Sequence, residues 1–276
     1  MTTSFNYDYF VTRNNGYVDL TTQKKISETT ILIAGCGIGS SVAVCATRVG
    51  FCNFVLVDGD VVDAHNLNRQ FYDFDDIGKP KVEALKRQIL RINPEAKVEA
   101  IYAYLNKDNT ADIVKKANIV FDTVDFLDLE AILSLHTAAK AFHTELFTAL
   151  SIGYGAGVLY FPSDSGISLT DLIANDIQDS QGEGDASYAN VFAKIMNRIG
   201  AHLDKQVVEQ VAKALTIMED GRPCPASQIA VGSFTIAAMA VSMMHDVIAG
   251  LKVPSAPQMV VHSFRNNQTK LINITE

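Results

Sequence analysis

Apolar and polar positions change in regular blocks along the first half of the chain. Short apolar runs predict buried strands, and the segments between them carry the 3.6-residue period of amphipathic helices. From residue 80, for example, Leu85, Ile89 and Ile92 fall on one helical face. The predicted strands are residues 30–34, 53–57, 97–103, 118–121 and 144–150, and the predicted helices are residues 40–49, 80–92, 108–116 and 127–141.

This alternation of strands and helices predicts βαβ units, and therefore a Rossmann-like, doubly wound α/β fold with a mostly parallel sheet. Ligands bind such sheets outside the carboxyl ends of the strands. Gly35, Asp58 and Asp122 each lie at the end of a predicted strand. We therefore expect the functional site at this edge of the sheet.

The pattern changes after Gly153. A further strand is predicted at residues 157–161, and the polar stretch that follows, residues 163–222, has few large apolar residues with which to form its own core. We interpret this stretch as a helical insertion that covers the pocket, within a single domain spanning residues 1–276. Its predicted helices are residues 169–175, 188–199 and 205–218, and the chain then returns through a helix at 226–251 and antiparallel C-terminal strands at 258–264 and 269–274.

Composition and net charge argue against some classes of binding partner. The chain has 276 residues, of which 48% are hydrophobic and 20% charged, with a net charge of −8 and a pI near 5.2. Nucleic acids and anionic membranes require clustered Lys and Arg, so we expect no broad surface for either. The apolar stretch at 229–244 is shorter than the roughly 20 residues that a membrane span needs. The N-terminus lacks the pattern of a secretory signal, and a cytoplasmic location is expected.

The metal-binding residues show no spacing typical of a zinc site. The four cysteines include no CxxC pair, and the six histidines are scattered. Neither a structural zinc site nor a disulfide framework is therefore expected.

A glycine-rich turn, residues 35–40, lies between the first predicted strand and its helix. Such a turn lets backbone N–H groups approach phosphates, and the helix N-terminus adds a positive dipole. Asp58 follows about 20 residues later, where a ribose hydroxyl is usually bound. The alternatives are a tight turn without a ligand and, for Asp58, a loop carboxylate. The candidate turn residues are Gly35, Gly37, Gly39 and Ser40.

Two cations point to a triphosphate and not to a dinucleotide. Arg69 supplies a charged fork for terminal phosphates. Lys81 lies in the first turn of a predicted helix, where a cation is unfavourable for the helix dipole unless an anion neutralises it. Taken alone, Lys81 is better explained as an ordinary solvated charge. With Asp58 and the glycine turn, both cations predict ATP binding.

Asp122 and Asp125 follow the fourth predicted strand. Mg²⁺ prefers one or two carboxylates together with substrate oxygens and water, so either residue is a candidate ligand for a phosphate-bound Mg²⁺. The alternative for Asp125 is that it caps the next helix, and both roles can coexist.

Together these motifs resemble those of the ThiF/MoeB/HesA family, prokaryotic relatives of ubiquitin-activating enzymes. The resemblance is strong over residues 25–155 and looser over 224–251. It implies an enzyme that adenylates a carboxylate, usually the C-terminus of a ubiquitin-like protein, and releases pyrophosphate. It places Asp58 at the ribose, Arg69 and Lys81 at the triphosphate and Asp125 at Mg²⁺. Further expected nucleotide-site residues are Asp60, Asn66, Asn68, Gln70 and Asp122.

The same resemblance implies a homodimer in which Arg13 enters the ATP site of the partner subunit. The alternative is that Arg13 is an ordinary surface charge, as a lone arginine near an N-terminus usually is. Cys224 precedes the long apolar helix, where some relatives carry a cysteine that captures the activated acyl group. It is equally an inert thiol, because no cationic neighbour is visible in the sequence.

The sequence thus predicts an ATP-dependent adenylyltransferase whose acceptor is a ubiquitin-like protein, a peptide or a small carboxylate. An NAD-dependent oxidoreductase is the first alternative, but it leaves Arg69, Lys81 and Asp125 unexplained. A non-catalytic nucleotide-binding scaffold is the second.

Overall fold

A single eight-stranded sheet organises the computed structural model, which describes residues 4–125, 128–173, 188–219 and 227–275. The strand order is β3-β2-β1-β4-β5-β6-β7-β8. Strands β1 to β5 pair in parallel and β5 to β8 pair antiparallel. The strands are β1 (Thr30–Ala34), β2 (Asn53–Val57), β3 (Lys97–Ile101), β4 (Ile119–Asp122), β5 (Glu145–Ser151), β6 (Gly155–Phe161), β7 (Gln258–Ser263) and β8 (Gln268–Asn273).

This topology confirms the predicted doubly wound, mostly parallel sheet with antiparallel C-terminal strands. The chain winds outward from β1 to β3 and then returns to place β4 on the other side of β1. The carboxyl ends of β1 and β4 therefore meet at the switch point, where doubly wound sheets bind ligands.

The two N-terminal helices were not predicted, and the helices from residue 39 onward follow the predicted positions with ends shifted by a few residues. The helices are α1 (Tyr7–Phe10), α2 (Leu20–Glu28), α3 (Gly39–Val49), α4 (Lys81–Ile92), α5 (Thr110–Val114), α6 (Leu129–Ala141), α7 (Tyr188–Gly200), α8 (Lys205–Glu219) and α9 (Ala230–Ala249). Residues 169–173 are also helical.

Both faces of the sheet are buried, which explains why its central strands are apolar at successive positions. In β1, Ile31 and Ile33 pack with α3, α4 and α9 on one face. Leu32 and Ala34 point to the other face and pack with residues of α5, α6 and α7. Within residues 163–222, α7 contributes the buried side chains of Met196 and Ile199 to this second core, so this helix packs onto the sheet.

Helix α9 is, among the described residues, the one helix long and apolar enough by composition to cross a membrane. Half of its most apolar window is buried inside the protein. It packs against α3 and β6, where Ile236, Ala240 and Met244 are fully or almost fully excluded from solvent. The helix is therefore part of the core in this structure.

Candidate active site

A cavity of about 530 Å³ opens at the carboxyl ends of the parallel strands and continues over the antiparallel strands. We call its charged part the polar end, which comprises Gly35, Gly37, Asp58, Asp60, Arg69, Gln70, Lys81, Asp122 and Asp125. We call its aliphatic part the apolar end, which comprises Leu150, Leu159, Leu169, Ile195, Met259 and Ile274. All nine are among those that the sequence pointed to, but the cavity is also lined by His65, Tyr104 and Asp128, which the sequence analysis did not assign to the site.

The glycine turn forms one wall of the polar end. Gly35 has a φ of +87°, and a Cβ there would lie 2.3 Å from the carbonyl oxygen of Thr123, so only glycine fits. Ser40 lies outside the cavity wall. Its hydroxyl donates to the Gly37 carbonyl at 2.6 Å and accepts from the Phe71 N–H at 2.9 Å. Ser40 therefore holds the turn against the segment that carries Arg69. Gly39 begins α3 behind the turn.

Asp58 lies directly after β2 and is fixed by the backbone. One carboxylate oxygen accepts the N–H of Cys36 and the other accepts the N–H of Asp60, each at 2.7 Å. Burial raises the pKa of the Asp58 carboxyl, although the nearby Lys81 ammonium opposes the rise. Each oxygen retains a second lone pair, so the carboxylate can still accept hydrogen bonds from a ligand.

Lys81, at the start of α4, is buried and forms an ion pair with Asp60. The distance from Lys81 Nζ to Asp60 Oδ2 is 2.7 Å, and the Tyr104 hydroxyl donates to Asp60 Oδ1, also at 2.7 Å. Partial burial works to raise the pKa of Asp60, but the hydrogen bonds from Lys81 and Tyr104 together lower it. The hydrogen bond to Asp60 in turn raises the pKa of Tyr104 to about 12.

Arg69 is held in place by three acceptors. Its Nε donates to Gln228 Oε1 at 2.6 Å, and its Nη1 donates to the His65 carbonyl and to Asn68 Oδ1, both at 2.9 Å. Partial burial lowers the pKa of Arg69, but an arginine so far above neutrality stays charged. The guanidinium is thus oriented before any ligand arrives.

The remaining residues of the Arg69 segment have distinct positions. Asn66 is buried and forms a capping box with Asp63, outside the cavity wall. Asn68 is exposed and positions Arg69. Gln70 lines the cavity beside Gly37, and its buried Oε1 has no hydrogen-bond partner among the described residues. A buried amide oxygen without a partner is costly, so it favours a ligand donor at that point.

Asp122 ends β4 at the junction of the two ends, almost fully buried. Its Oδ2 accepts from His136 Nε2 and from Thr148 Oγ1, each at 3.1 Å, and its Oδ1 accepts the Val124 N–H at 3.1 Å. On the far side of the imidazole, His136 Nδ1 accepts the Leu169 N–H at 3.4 Å. Asp122 is therefore engaged within the protein, and it links the sheet to the insertion.

Asp125 is exposed at the wall of the polar end. The cap of α6 is Asp128, whose carboxylate accepts the Ala131 N–H at 3.0 Å, so the structure corrects the alternative that Asp125 caps this helix. No group of three or more His, Cys, Asp or Glu side chains within the described ranges could hold a metal alone. One exposed carboxylate beside the cations of the polar end fits Mg²⁺, which prefers one or two carboxylates together with ligand oxygens and water.

Two predicted residues lie apart from this cavity. Arg13 is exposed in a 3₁₀ turn, Thr12–Asn14, and does not line the cavity of its own chain. Cys224 lies outside the described residues. Burial raises the pKa of the other three thiols, Cys36, Cys45 and Cys52, which makes them poor nucleophiles at neutral pH.

Sequence reasoning missed the residues that position the polar end. Tyr104, Gln228, His136 and Thr148 belong to no motif, and each reaches its partner only through folding. Tyr104 is 44 positions from Asp60, and Gln228 is 159 positions from Arg69. The signal that could have indicated a donor such as His136 is the aspartate at the end of an apolar strand, because a buried carboxylate needs hydrogen-bond partners.

Comparison with known proteins supports the motif analysis. The profile of the ThiF family matches residues 11–276. The sulfur carrier protein ThiS adenylyltransferase of Escherichia coli is 29% identical over 139 residues, which cover 50% of this chain and 55% of that protein. The molybdopterin-synthase adenylyltransferase of Haemophilus influenzae is 33% identical over 114 residues, covering 41% and 47%. The matched segments thus span about half the length of these curated relatives.

Solved structures agree in fold. The structure of Escherichia coli MccB with ATP has a TM-score of 0.65 at 20% identity, covering 92% of this chain and 67% of that one. The structure of PaaA has a TM-score of 0.67 at 19% identity, covering 97% and 79%. Because the family profile spans nearly the whole sequence, this chain belongs to the ThiF family.

Proposed function

We propose that this protein is an ATP-dependent adenylyltransferase that activates a carboxylate as an acyl-adenylate and releases pyrophosphate. The observation that carries the proposal is the convergence of Arg69 and Lys81 on one cavity with Asp58 and the glycine turn. The curated relatives are named as adenylyltransferases, which supports the same reaction class.

The nucleotide takes the polar end. Asp58 accepts hydrogen bonds from the ribose hydroxyls, and the turn at Gly35 and Gly37 lets the phosphates approach the backbone. Arg69 and Lys81 bind the triphosphate. The described contacts of Arg69 use Nε and Nη1, which leaves the donors of Nη2 for the triphosphate. Lys81 shares its three donors between Asp60 and the phosphates.

The charges account for the chemistry. A substrate carboxylate oxygen forms a bond to the α-phosphorus, the bond from that phosphorus to the bridging oxygen breaks, and pyrophosphate leaves with the electron pair. Two anions repel each other, so Arg69 and Lys81 must hold them in line and stabilise the developing charge. No general base is needed because the nucleophile is already ionised. Asp125 would hold Mg²⁺, which would supply further charge neutralisation at the phosphates.

The acceptor and the assembly are also part of the proposal. One relative is named as an adenylyltransferase of a sulfur carrier protein, and MccB has been solved in complex with N-formylated MccA. We propose a small-protein or peptide acceptor for this chain. We propose a homodimer in which Arg13 completes the partner's polar end. Cys224 remains a candidate for acyl capture, and a cytoplasmic location is expected.

Pyrophosphate exchange into ATP tests the reaction. The enzyme, MgATP and labelled pyrophosphate are incubated with a panel of carboxylates, and label entering ATP reports reversible adenylation. We expect exchange that depends on the carboxylate. Binding of NAD without binding of MgATP would instead favour an oxidoreductase. MgATP binding with no exchange for any carboxylate would favour a scaffold.

A further inference from the structure

The apolar end of the cavity carries a further inference about the substrate. Every charged side chain among the described lining residues lies between positions 58 and 128. From residue 131 onward the described lining is uncharged, and its polar side chains are Thr148 and Gln228. Both hydrogen-bond back to the polar end, Thr148 to Asp122 and Gln228 to Arg69. The far part of the cavity therefore presents aliphatic surface.

The floor of the apolar end is formed by residues that lie in register with Asp122 on the neighbouring strands of the sheet. In register across the sheet, Asp122 pairs with Thr148, Thr148 with Leu159, and Leu159 with Met259. Paired residues on neighbouring strands share a face, and strands lie about 4.8 Å apart. The floor thus changes from carboxylate to aliphatic within two strand spacings, about 10 Å.

The roof of the apolar end comes from the insertion. Leu169 and Ile195 line the cavity from residues 169–173 and from α7, and Ile274 closes it beyond β8. The hydrogen bond from the Leu169 N–H to His136 fixes the start of the roof to the same Asp122 that marks the junction. This hydrogen bond therefore ties the segment that carries Leu169 to the buried His136–Asp122 pair.

We propose that the acyl group activated at this site is aliphatic next to its carboxyl carbon, and that it lies between the Leu159–Met259 floor and the Leu169–Ile195 roof. This inference rests on the proposed function, because it assumes that the carboxylate reacts at the polar end. A glycyl tail has no side chain with which to cover these walls, and an acidic group would be desolvated there without a cation. An aliphatic group gains from burial with each methylene.

Acyl-sulfamoyl-adenosines, which are stable mimics of acyl-adenylates, test the inference without requiring turnover. Three compounds differ only in the acyl group: 4-methylpentanoyl, acetyl and N-acetylglycylglycyl. Calorimetry on the full chain with Mg²⁺ measures each dissociation constant. We expect the 4-methylpentanoyl compound to bind about 10- to 100-fold more tightly than the other two, as expected for burying a leucine-sized group.

A matched pair of variants assigns the preference to the apolar end, to which Leu150 on β5 belongs. Leu150→Gln places a polar group at the apolar end, and Leu271→Gln makes the same change on β8 at an exposed position outside the cavity. We expect Leu150→Gln to reduce the 4-methylpentanoyl preference at least about fivefold while MgATP affinity is retained, and Leu271→Gln to leave the preference unchanged.

The outcomes separate this inference from the proposed function. Equal or tighter binding of the N-acetylglycylglycyl compound, or a preference that survives Leu150→Gln, overturns the aliphatic acyl group while adenylate binding stands. Failure of all three compounds to bind overturns the adenylyltransferase itself.

Discussion

The two ends of the cavity are held in place by different kinds of interaction. The polar end lies on parallel strands, and its side chains are fixed by short directional hydrogen bonds, such as those of Arg69, Asp58 and Asp60. The apolar end lies on antiparallel strands and the insertion, and its side chains are fixed by packing. Removing one partner of a hydrogen-bonded charge leaves the other partner unpaired, which costs its desolvation free energy. Shortening an aliphatic side chain instead weakens binding in proportion to the apolar surface removed.

This difference means that single substitutions should produce losses of activity at the polar end and changes of selectivity at the apolar end. Arg69→Ala tests the first half of that statement. Removing one preorganised donor of charge stabilisation lowers a rate by about 10²- to 10³-fold, and we expect that loss in pyrophosphate exchange.

Arg91→Ala is the matched control for Arg69→Ala. Arg91 lies near the end of α4, is largely exposed, and is 4.0 Å from its nearest carboxylate, Asp73. We expect exchange within about twofold of wild type, as for a weak surface ion pair. Equal losses in both variants would mean that Arg69 acts through overall charge and not through its fixed position.

His136 tests the junction between the two ends. His136→Phe keeps a ring beside Phe161 but removes the donor to Asp122 and the acceptor for the Leu169 N–H. An unpaired buried polar group costs about 1–3 kcal/mol, and we expect the free energy of unfolding to fall by that amount in urea denaturation.

Two further variants serve as controls for His136→Phe. His136→Gln can return a donor toward Asp122 and should recover part of the loss. His202→Phe, at an exposed position, should change the free energy of unfolding by less than about 0.5 kcal/mol. A His136→Phe protein as stable as wild type would show that the junction contributes nothing, and that the two ends are independent.

Sequence alone predicted the polar end far better than the apolar end, for a physical reason. The glycine turn and Asp58 occur at a short spacing because one βαβ unit carries them, and the cations Arg69 and Lys81 follow in the next connection. Leu159, Leu169 and Met259 come together only through antiparallel pairing and the insertion, and isolated leucines in a sequence look the same in any core. Gln228, which lies far from its partner Arg69 in the sequence, could not be predicted for the same reason.

Arg13 tests whether the polar end is complete within one chain. If Arg13 acts across a homodimer, Arg13→Ala and Arg69→Ala should each be inactive alone, and mixed dimers of the two should carry one intact site. Random mixing then restores about a quarter of wild-type exchange, because half of the dimers are mixed and each has one working site of two. Mixing that restores no activity would place Arg13 outside the partner's site.

The smallest effect concerns Tyr104, at the exposed margin of the polar end. Its hydrogen bond to Asp60 raises its pKa to about 12, so the folded state holds the phenolic proton more tightly than the unfolded state, whose pKa is about 10. The stabilisation is therefore fully present below pH 10 and is lost as the pH rises through about 12.

Asp60→Asn removes the charge that holds this proton, so the Tyr104 pKa should fall back toward its ordinary value of 10.0. The phenolate absorbance of wild type minus that of Tyr104→Phe isolates the single tyrosine, and the same difference in the Asp60→Asn background reports the shift. Tyr104→Phe itself should alter MgATP affinity only a few-fold, because Lys81 still neutralises Asp60. A wild-type Tyr104 that titrates near 10 would show that the hydrogen bond from Tyr104 to Asp60 does not form in solution. The hydrogen-bonded character of the polar end would then apply to its buried residues and not to its exposed margin.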